Sequence, residues 1–196
     1  MKRILKINAS ARKTGSTSRE LVDKIINQLV QSADDYEVIN RDLLDGVPLL
    51  TEEVIGSFFT PESNRTAAQK EALTTSDSLA EELKLADVIV LGTPIYNFSV
   101  PGSLKAYFDL IARAGVTFQY TGNGPVGLLK NKKAIVAITS GGTAIGSDMD
   151  FASDYIKLFL GFIGITDVTF VNADQLMFNG TEKLEEVNQS ISAIAV

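Results

Sequence analysis

Apolar residues along this chain recur in two rhythms. Arg3-Ile4-Leu5-Lys6-Ile7-Asn8 is a short apolar stretch that leads into a polar loop, after which Leu21/Val22, Ile25/Ile26 and Leu29/Val30 return at the spacing of one helix face. This pattern predicts a strand, a loop and an amphipathic helix. The sequence of events repeats, with further strands around Val38-Ile39, over Asp87 to Thr93, over Ala134 to Thr139 and over Val168 to Val171. Strands that are apolar on both faces and alternate with helices predict a parallel sheet covered on both sides.

Helix ends are legible as well. Thr17 with Glu20 has the spacing of a capping box, and Pro101 suits the first turn of a helix ending near Ala114-Gly115. Ala67 to Ala86 carries a helical apolar face, a further helix is expected from about Asp148 to Phe162, and a terminal one from Glu182 onward. Two segments, Leu43 to Asn64 and Val116 to Lys133, interrupt the alternation. Five strands joined by right-handed crossovers fit a doubly wound α/β sheet, either the flavodoxin-like order 2-1-3-4-5 or half of a dinucleotide-binding fold. At 196 residues, one domain spanning 1–196 is expected.

Composition narrows the chemistry. The chain has no cysteine and no histidine, which removes thiol nucleophiles, thiolate metal sites, imidazole bases and Ser-His-Asp triads. Redox work would have to be carried by an organic cofactor. A net charge of -6 disfavours nucleic acid and anionic membrane surfaces as partners, and the apolar runs are too short to cross a bilayer. Met1 to Leu5 opens a stretch too short for a signal-peptide core, so a cytoplasmic location is expected.

In an open parallel sheet, ligands bind beyond the carboxyl ends of the strands, where the strand order switches. The loop after the first strand, Asn8 to Ser18, is dense in hydroxyls and opens a helix, which suits a phosphate monoester; Ser16, Thr17 and Ser18 are also ordinary caps and turn formers. The loop after the third strand, Gly92 to Gly102, sets Tyr96, Asn97 and Phe98 between two prolines, where a flat heteroaromatic ring could be held; plugging of the core is the plainer alternative. Thr139-Ser140-Gly141-Gly142-Thr143 follows the fourth strand and would let backbone approach a ligand edge, or is simply a turn.

Three features are set aside. Gly122-Asn123-Gly124-Pro125-Val126-Gly127 matches the dinucleotide fingerprint in letters but neither follows the first strand nor opens a helix, so it reads as a loop. Gly141 to Gly146 has P-loop glycine spacing but is followed by Ser147 and Asp148. The acid pairs Glu52/Glu53, Glu81/Glu82 and Glu185/Glu186 sit at helical positions and read as solvated faces rather than as catalytic carboxylates. Phe159 to Ile165 is apolar almost all round, with Leu160, Phe162 and Ile163 offering a surface that is either deeply buried or pressed against a second subunit.

Taken together, Pro94 to Phe98, Leu104 to Thr121, Gly124-Pro125 and Phe159 to Val168 resemble the bacterial FMN-dependent NADH:quinone oxidoreductases, also called azoreductases. The resemblance implies a flavodoxin-like fold, a homodimer, non-covalent FMN, and ping-pong transfer of two electrons from NADH to quinones or aromatic azo compounds. Carried over residue by residue, it places phosphate contacts on Ser10, Ser16, Thr17 and Ser18. The ring contacts fall on Pro94, Ile95, Tyr96, Asn97 and Phe98, and a second ring edge on Ser140, Gly141 and Gly142. Substrate-cavity aromatics fall on Tyr120 and, from the other subunit, Phe162. No side chain is assigned as a catalytic acid or base, since the flavin N5 carries the hydride, and no metal is expected. The chain departs from the pattern after Ser140, where Gly141 to Gly146 replaces a loop that carries an arginine in some relatives. The other reading is an acidic flavodoxin-type carrier of single electrons, which the net charge favours and which the Val116 to Lys133 and Phe159 to Ile165 segments oppose.

Overall fold

A computed structural model describes residues 1–32 and 35–194. Its main sheet has five parallel strands, β1 (Lys2–Asn8), β2 (Tyr36–Asp42), β3 (Val88–Pro94), β6 (Lys133–Thr139) and β7 (Asp167–Ala173). They lie in the order β2-β1-β3-β6-β7, which is 2-1-3-4-5 once the separate hairpin β4 (Phe118–Thr121) and β5 (Gly124–Gly127) is left out. The helices are α1 (Thr17–Ser32), α2 (Glu52–Phe59), α3 (Ala67–Leu85), α4 (Gly102–Ile111), α5 (Ser153–Ile163) and α6 (Leu176–Ser192).

Side chains along a strand alternate in direction, and the central strands divide accordingly between two buried clusters. Leu5, Ile7, Ile89, Leu91, Val136 and Ile138 pack with residues of α3, α4 and α5, such as Leu83, Phe108 and Phe159. Ile4, Val88, Val90, Ile135 and Ala137 pack with Leu21, Val22 and Ile25 of α1 and with Val187 and Ile191 of α6.

Several boundaries differ from those the sequence predicts, each for a local reason. The helix after Pro101 stops at Ile111, short of Ala114-Gly115, because the Thr117 hydroxyl donates to the Ile111 carbonyl at 2.6 Å and accepts from the Arg113 N–H at 3.0 Å. At the start of α1, Ser16 stands in the cap position, its carbonyl accepting from the Glu20 N–H at 3.1 Å; Thr17 is already helical. A capping box is present instead at Thr66 with Gln69. Helix α5 begins at Ser153 rather than near Asp148, since the Asp150 carboxylate takes the N–H groups of Ala152 and Ser153 and turns the chain. Helix α6 begins earlier than Glu182, at Leu176, with a kink at Asn179; the part of the expected helix beyond residue 194 lies outside the described residues.

Gly122 to Gly127, expected to be a loop, is mostly strand. Gly124–Gly127 pairs antiparallel with Phe118–Thr121. Its last glycine has a packing role: a β-carbon on Gly127 would stand 2.0 Å from the Gly164 nitrogen, so two backbones touch there. Leu129 N–H donates to the Ile163 carbonyl at 2.9 Å and continues the contact. The acid pairs are exposed as expected, except Glu82, which is half-buried and pairs with Arg41.

Candidate functional site

Three loops converge at the carboxyl end of the sheet. A cavity of about 320 Å³ is lined by Ser10, Ser16, Thr17 and Ser18 from the first, Pro94, Ile95 and Tyr96 from the second, and Ser140 and Gly141 from the third. Backbone bonds hold the loops in relation to one another. Ala9 N–H reaches the Gly92 carbonyl at 2.9 Å, Ile95 N–H the Thr139 carbonyl at 2.7 Å, and Ser140 N–H the Ala173 carbonyl at 3.1 Å.

The first loop ends on a helix N-terminus. The N–H groups of Thr17 and Ser18 have no carbonyl one turn back to receive them, and the helix dipole makes this end positive. Ser16 and Ser18 are buried, at 6% and 1% exposure, and their hydroxyl oxygens lie 3.3 Å apart. Two hydroxyls that share one hydrogen bond leave a second O–H without an acceptor, so the site is short of an anion oxygen. Arg12 also lines the cavity and forms no ion pair among the described residues. This donor set fits a phosphate monoester.

Arg19 supports the loop from behind. It forks onto the Asp42 carboxylate at 2.6 and 2.8 Å and donates to the Ser10 carbonyl at 2.9 Å. Hydrogen bonding from Arg19 holds the Asp42 pKa below the usual carboxylate value against the effect of burial, and the same pair raises that of Arg19. The Arg19 charge is thus spent on Asp42, and Arg12 is the cation left for a ligand.

The second loop turns back on itself. Tyr96 and Ser99 exchange backbone bonds at 2.9 and 3.1 Å, with Asn97 and Phe98 between them at φ 49° and 71°. Two successive left-handed residues make a tight turn of the mirror-image type, and a phenylalanine in that region costs about 1 to 2 kcal/mol. Phe151 N–H donates to the Phe98 carbonyl at 3.0 Å and pins the turn. Strain of this kind concentrates where a loop must hold a ligand.

The third loop is tied down on both sides. The Ser140 hydroxyl donates to the Thr143 carbonyl and accepts from Gln175 N–H at 3.1 Å, so it serves the loop itself. Asp174 accepts from Ile145 N–H at 2.9 Å, and Asp150 accepts from Gly146 N–H at 2.9 Å. Burial works against the charge on both carboxylates. Bonds from Ser153 and Gly146 to Asp150, and from Ile145 and Lys183 to Asp174, outweigh it and lower both pKa values.

Not every residue singled out in the sequence lines this cavity. Asn97, Phe98 and Gly142 belong to the same loops but are not among the residues that line it. Tyr120 is 71% exposed on β4, and Phe162 packs on Phe118 at 4.4 Å between ring centres, beside a separate groove of about 690 Å³. The face that α5 presents there is Leu158, Gly161 and Phe162, flanked by Asp154 and Lys157. Leu160 and Ile163, expected to share that surface, are buried in the chain's own core. Thr139, which opens the loop expected to approach a ligand edge, lines the cavity, and so do Leu176 and Met177, which the sequence does not single out: they come from the last helix and carry no motif.

Residues 2–195 match the model of a family described by its flavodoxin-like fold. The chain is 53% identical over 195 residues to FMN-dependent NADH:quinone oxidoreductase 1 of Jannaschia sp., covering 100% of both chains. It is 52% identical over 191 residues to the protein of the same name from Hahella chejuensis, covering 97% and 94%. Its structure is similar to that of an FMN-dependent NADH-azoreductase of Bacillus anthracis in complex with FMN, with a TM-score of 0.86 and 26% identity over 97% and 96% of the two chains. The chain therefore belongs to the flavodoxin-like fold family and, within it, to the FMN-dependent NADH:quinone oxidoreductases.

Proposed function

We propose that residues 1–196 act as one FMN-binding domain with helices on both faces of the sheet, and that the chain oxidises NADH and reduces quinones or aromatic azo compounds. The observation that carries this reading is the cavity joining an unsatisfied hydroxyl-rich helix N-terminus to a strained turn and a glycine loop. The two clusters that divide the central strands support the double cover. Non-covalent FMN, when bound, supplies hydride acceptance at N5 and two-electron delivery to the acceptor.

The chain's own residues do the positioning. Ser10, Ser16, Thr17, Ser18 and the first-turn N–H groups hold the phosphate. Pro94, Ile95, Tyr96, Asn97 and Phe98 would contact one edge of the bound ring, and Ser140, Gly141 and Gly142 the other. The residues lining the cavity include no carboxylate and no imidazole, so protons come from water, from the exposed Tyr120 hydroxyl or from the solvent-exposed substrate.

The functional unit we propose is a homodimer in the cytoplasm. Support comes from Leu158, 73% exposed on α5, and from the groove it forms with Gly161, Phe162 and Pro125. A second copy seated there brings Phe162 and Tyr120 toward the partner's cavity. The carrier alternative loses its ground to relatives that are about half identical and are named oxidoreductases. The test is the visible spectrum of purified protein through an NADH titration, followed by addition of menadione. Bleaching of a flavin band and its return on adding quinone, with no other protein present, is the expected result; a requirement for a separate reductase would restore the carrier reading.

A further inference from the structure

The first turn of α6 is built unlike an ordinary helix start. Gln175 is left-handed at φ 54°, Asn179 breaks the helix at φ -128° and ψ 38°, and the Leu176 and Met177 N–H groups donate to the Ser140 and Gly141 carbonyls at 3.1 and 3.0 Å. The turn is thereby fastened to the loop after β6. Over that loop lies the Met177 side chain: a β-carbon on Gly141 would be 3.0 Å from its sulfur and 3.2 Å from its Cγ. Gly141 leaves room for a thioether to lie flat on the backbone at the cavity wall.

Met177 is 81% exposed and Phe178, beside Gly142, is 70% exposed, whereas Val187 and Ile191 of the same helix are buried. Two large apolar side chains held in water by a strained, hydrogen-bonded turn point to a ligand surface. Its charge environment is one-sided. Arg12, the one charged residue of the lining, belongs to the hydroxyl loop, while the neighbouring surface carries Asp174, Glu182 and Glu186 against Lys183 alone. Lys183 is itself engaged, 3.1 Å from Asp174 and 3.8 Å from Glu186.

We propose that Met177, with Phe178 next to it, is a specificity-determining residue: it makes this end of the cavity a neutral, polarisable wall that admits uncharged aromatic acceptors and turns away anionic ones. The inference rests on the oxidoreductase reading above. Sulfur at a ring edge is a favourable contact, and an anionic substituent at such a wall loses hydration without gaining a partner.

The test uses FMN-loaded protein with NADH and two acceptors, a neutral naphthoquinone and the same ring bearing a sulfonate. The quantity read is the ratio of their kcat/KM values in the variant relative to that in the parent, which cancels the acceptors' intrinsic reactivity. Met177→Lys is expected to raise the anionic share about five- to tenfold, the effect of a unit charge about 7 Å away in a medium of effective dielectric about 40. Met177→Leu is expected to leave it unchanged, and Phe178→Lys to shift it the same way by less. Binding of both acceptors to the oxidised protein, followed as a perturbation of the flavin band, is expected to give the same order. An unchanged ratio in both lysine variants with FMN bound, or a parent that prefers the sulfonate, overturns the assignment while leaving the proposed function standing. A chain that takes up no FMN, or whose FMN is not reduced by NADH, overturns both.

Discussion

Gly92→Ala tests the coupling between sheet and site most directly, because Gly92 is not among the residues lining the cavity but packs on one that is, Ser18. It lies in β3 with the first turn of α1 packed against it. A β-carbon there would stand 2.5 Å from Val22 Cγ2 and 2.8 Å from the Ser18 carbonyl oxygen. Ordinary contacts begin near 3.4 Å, so the shortfall against backbone is 3.4 − 2.8 = 0.6 Å. Val22 is fully buried and β-branched on a helix, where one χ1 rotamer is strongly preferred, so it has little freedom to turn away. The remaining way to accommodate the methyl group is for the start of α1 to recede, taking Ser16 and Ser18 with it. Overpacking of this kind costs about 1 to 3 kcal/mol, or a fall in Tm of about 2 to 12 °C for a chain of this size. A recession of half an ångström also lengthens several charge-assisted bonds to the phosphate at once, so FMN affinity is expected to fall about tenfold or more, at about 1.4 kcal/mol per tenfold. Fluorescence titration of apoprotein with FMN, alongside thermal melts without cofactor, separates the two effects. A variant that melts with the parent and binds FMN equally well would show that the helix start is not held by this contact. Loss of stability with intact affinity would show that the phosphate contacts do not depend on it.

Ser16→Ala and Ser18→Ala each remove a buried hydroxyl donor to a charged group and are expected to cost about 1.5 to 3 kcal/mol in FMN binding, or roughly ten- to hundredfold, by the same titration. Leu158→Lys is expected to weaken self-association in sedimentation while leaving the melting temperature of the isolated chain nearly unchanged; Ile163→Lys, at a fully buried position, is expected to unfold the chain instead. Asp42 has a depressed pKa in the folded state, so its pairing stabilises the fold above about pH 4 and is lost as pH falls through the folded value. Asp42→Asn is accordingly expected to lower stability and FMN affinity at pH 7, with the difference from the parent closing as pH falls below about 4. Melts and titrations across that range check it.

Strand positions were the most legible part of the sequence, because β1, β3 and β6 are buried and their apolar runs leave little room for another register. The loops at their carboxyl ends were legible for the same reason, since the topology fixes where a ligand goes once the strands are known. What escaped the sequence depended on particular hydrogen bonds, some local and some between segments distant in the chain. Thr117 ends α4 by reaching back to Ile111, and Asp150 delays α5 by gathering N–H groups, neither of which a propensity argument registers. Leu176 and Met177 reach the cavity only because the loop after β6 supplies carbonyls to the start of α6. In Phe159 to Ile165 the apolar run was plain, but its division between core and surface was not. A helix buries one stripe, and the residues left outside here were Leu158, Gly161 and Phe162 rather than Leu160 and Ile163.

The backbone contact between Gly127 and Gly164 bears on how a second chain would attach. Main chain set directly against main chain, with no side chain between to change rotamer, makes the hairpin and the end of α5 behave as one stiff plate. A partner docking on that plate finds the surface already arranged and does not have to order it. The entropy that flexible loops surrender on association, about 0.5 to 1.5 kcal/mol for each immobilised side chain, is then largely spared. Any residue larger than glycine at 127 would wedge the plate apart, so a bulky substitution there would act at a distance, slackening the assembly before it touched the chemistry.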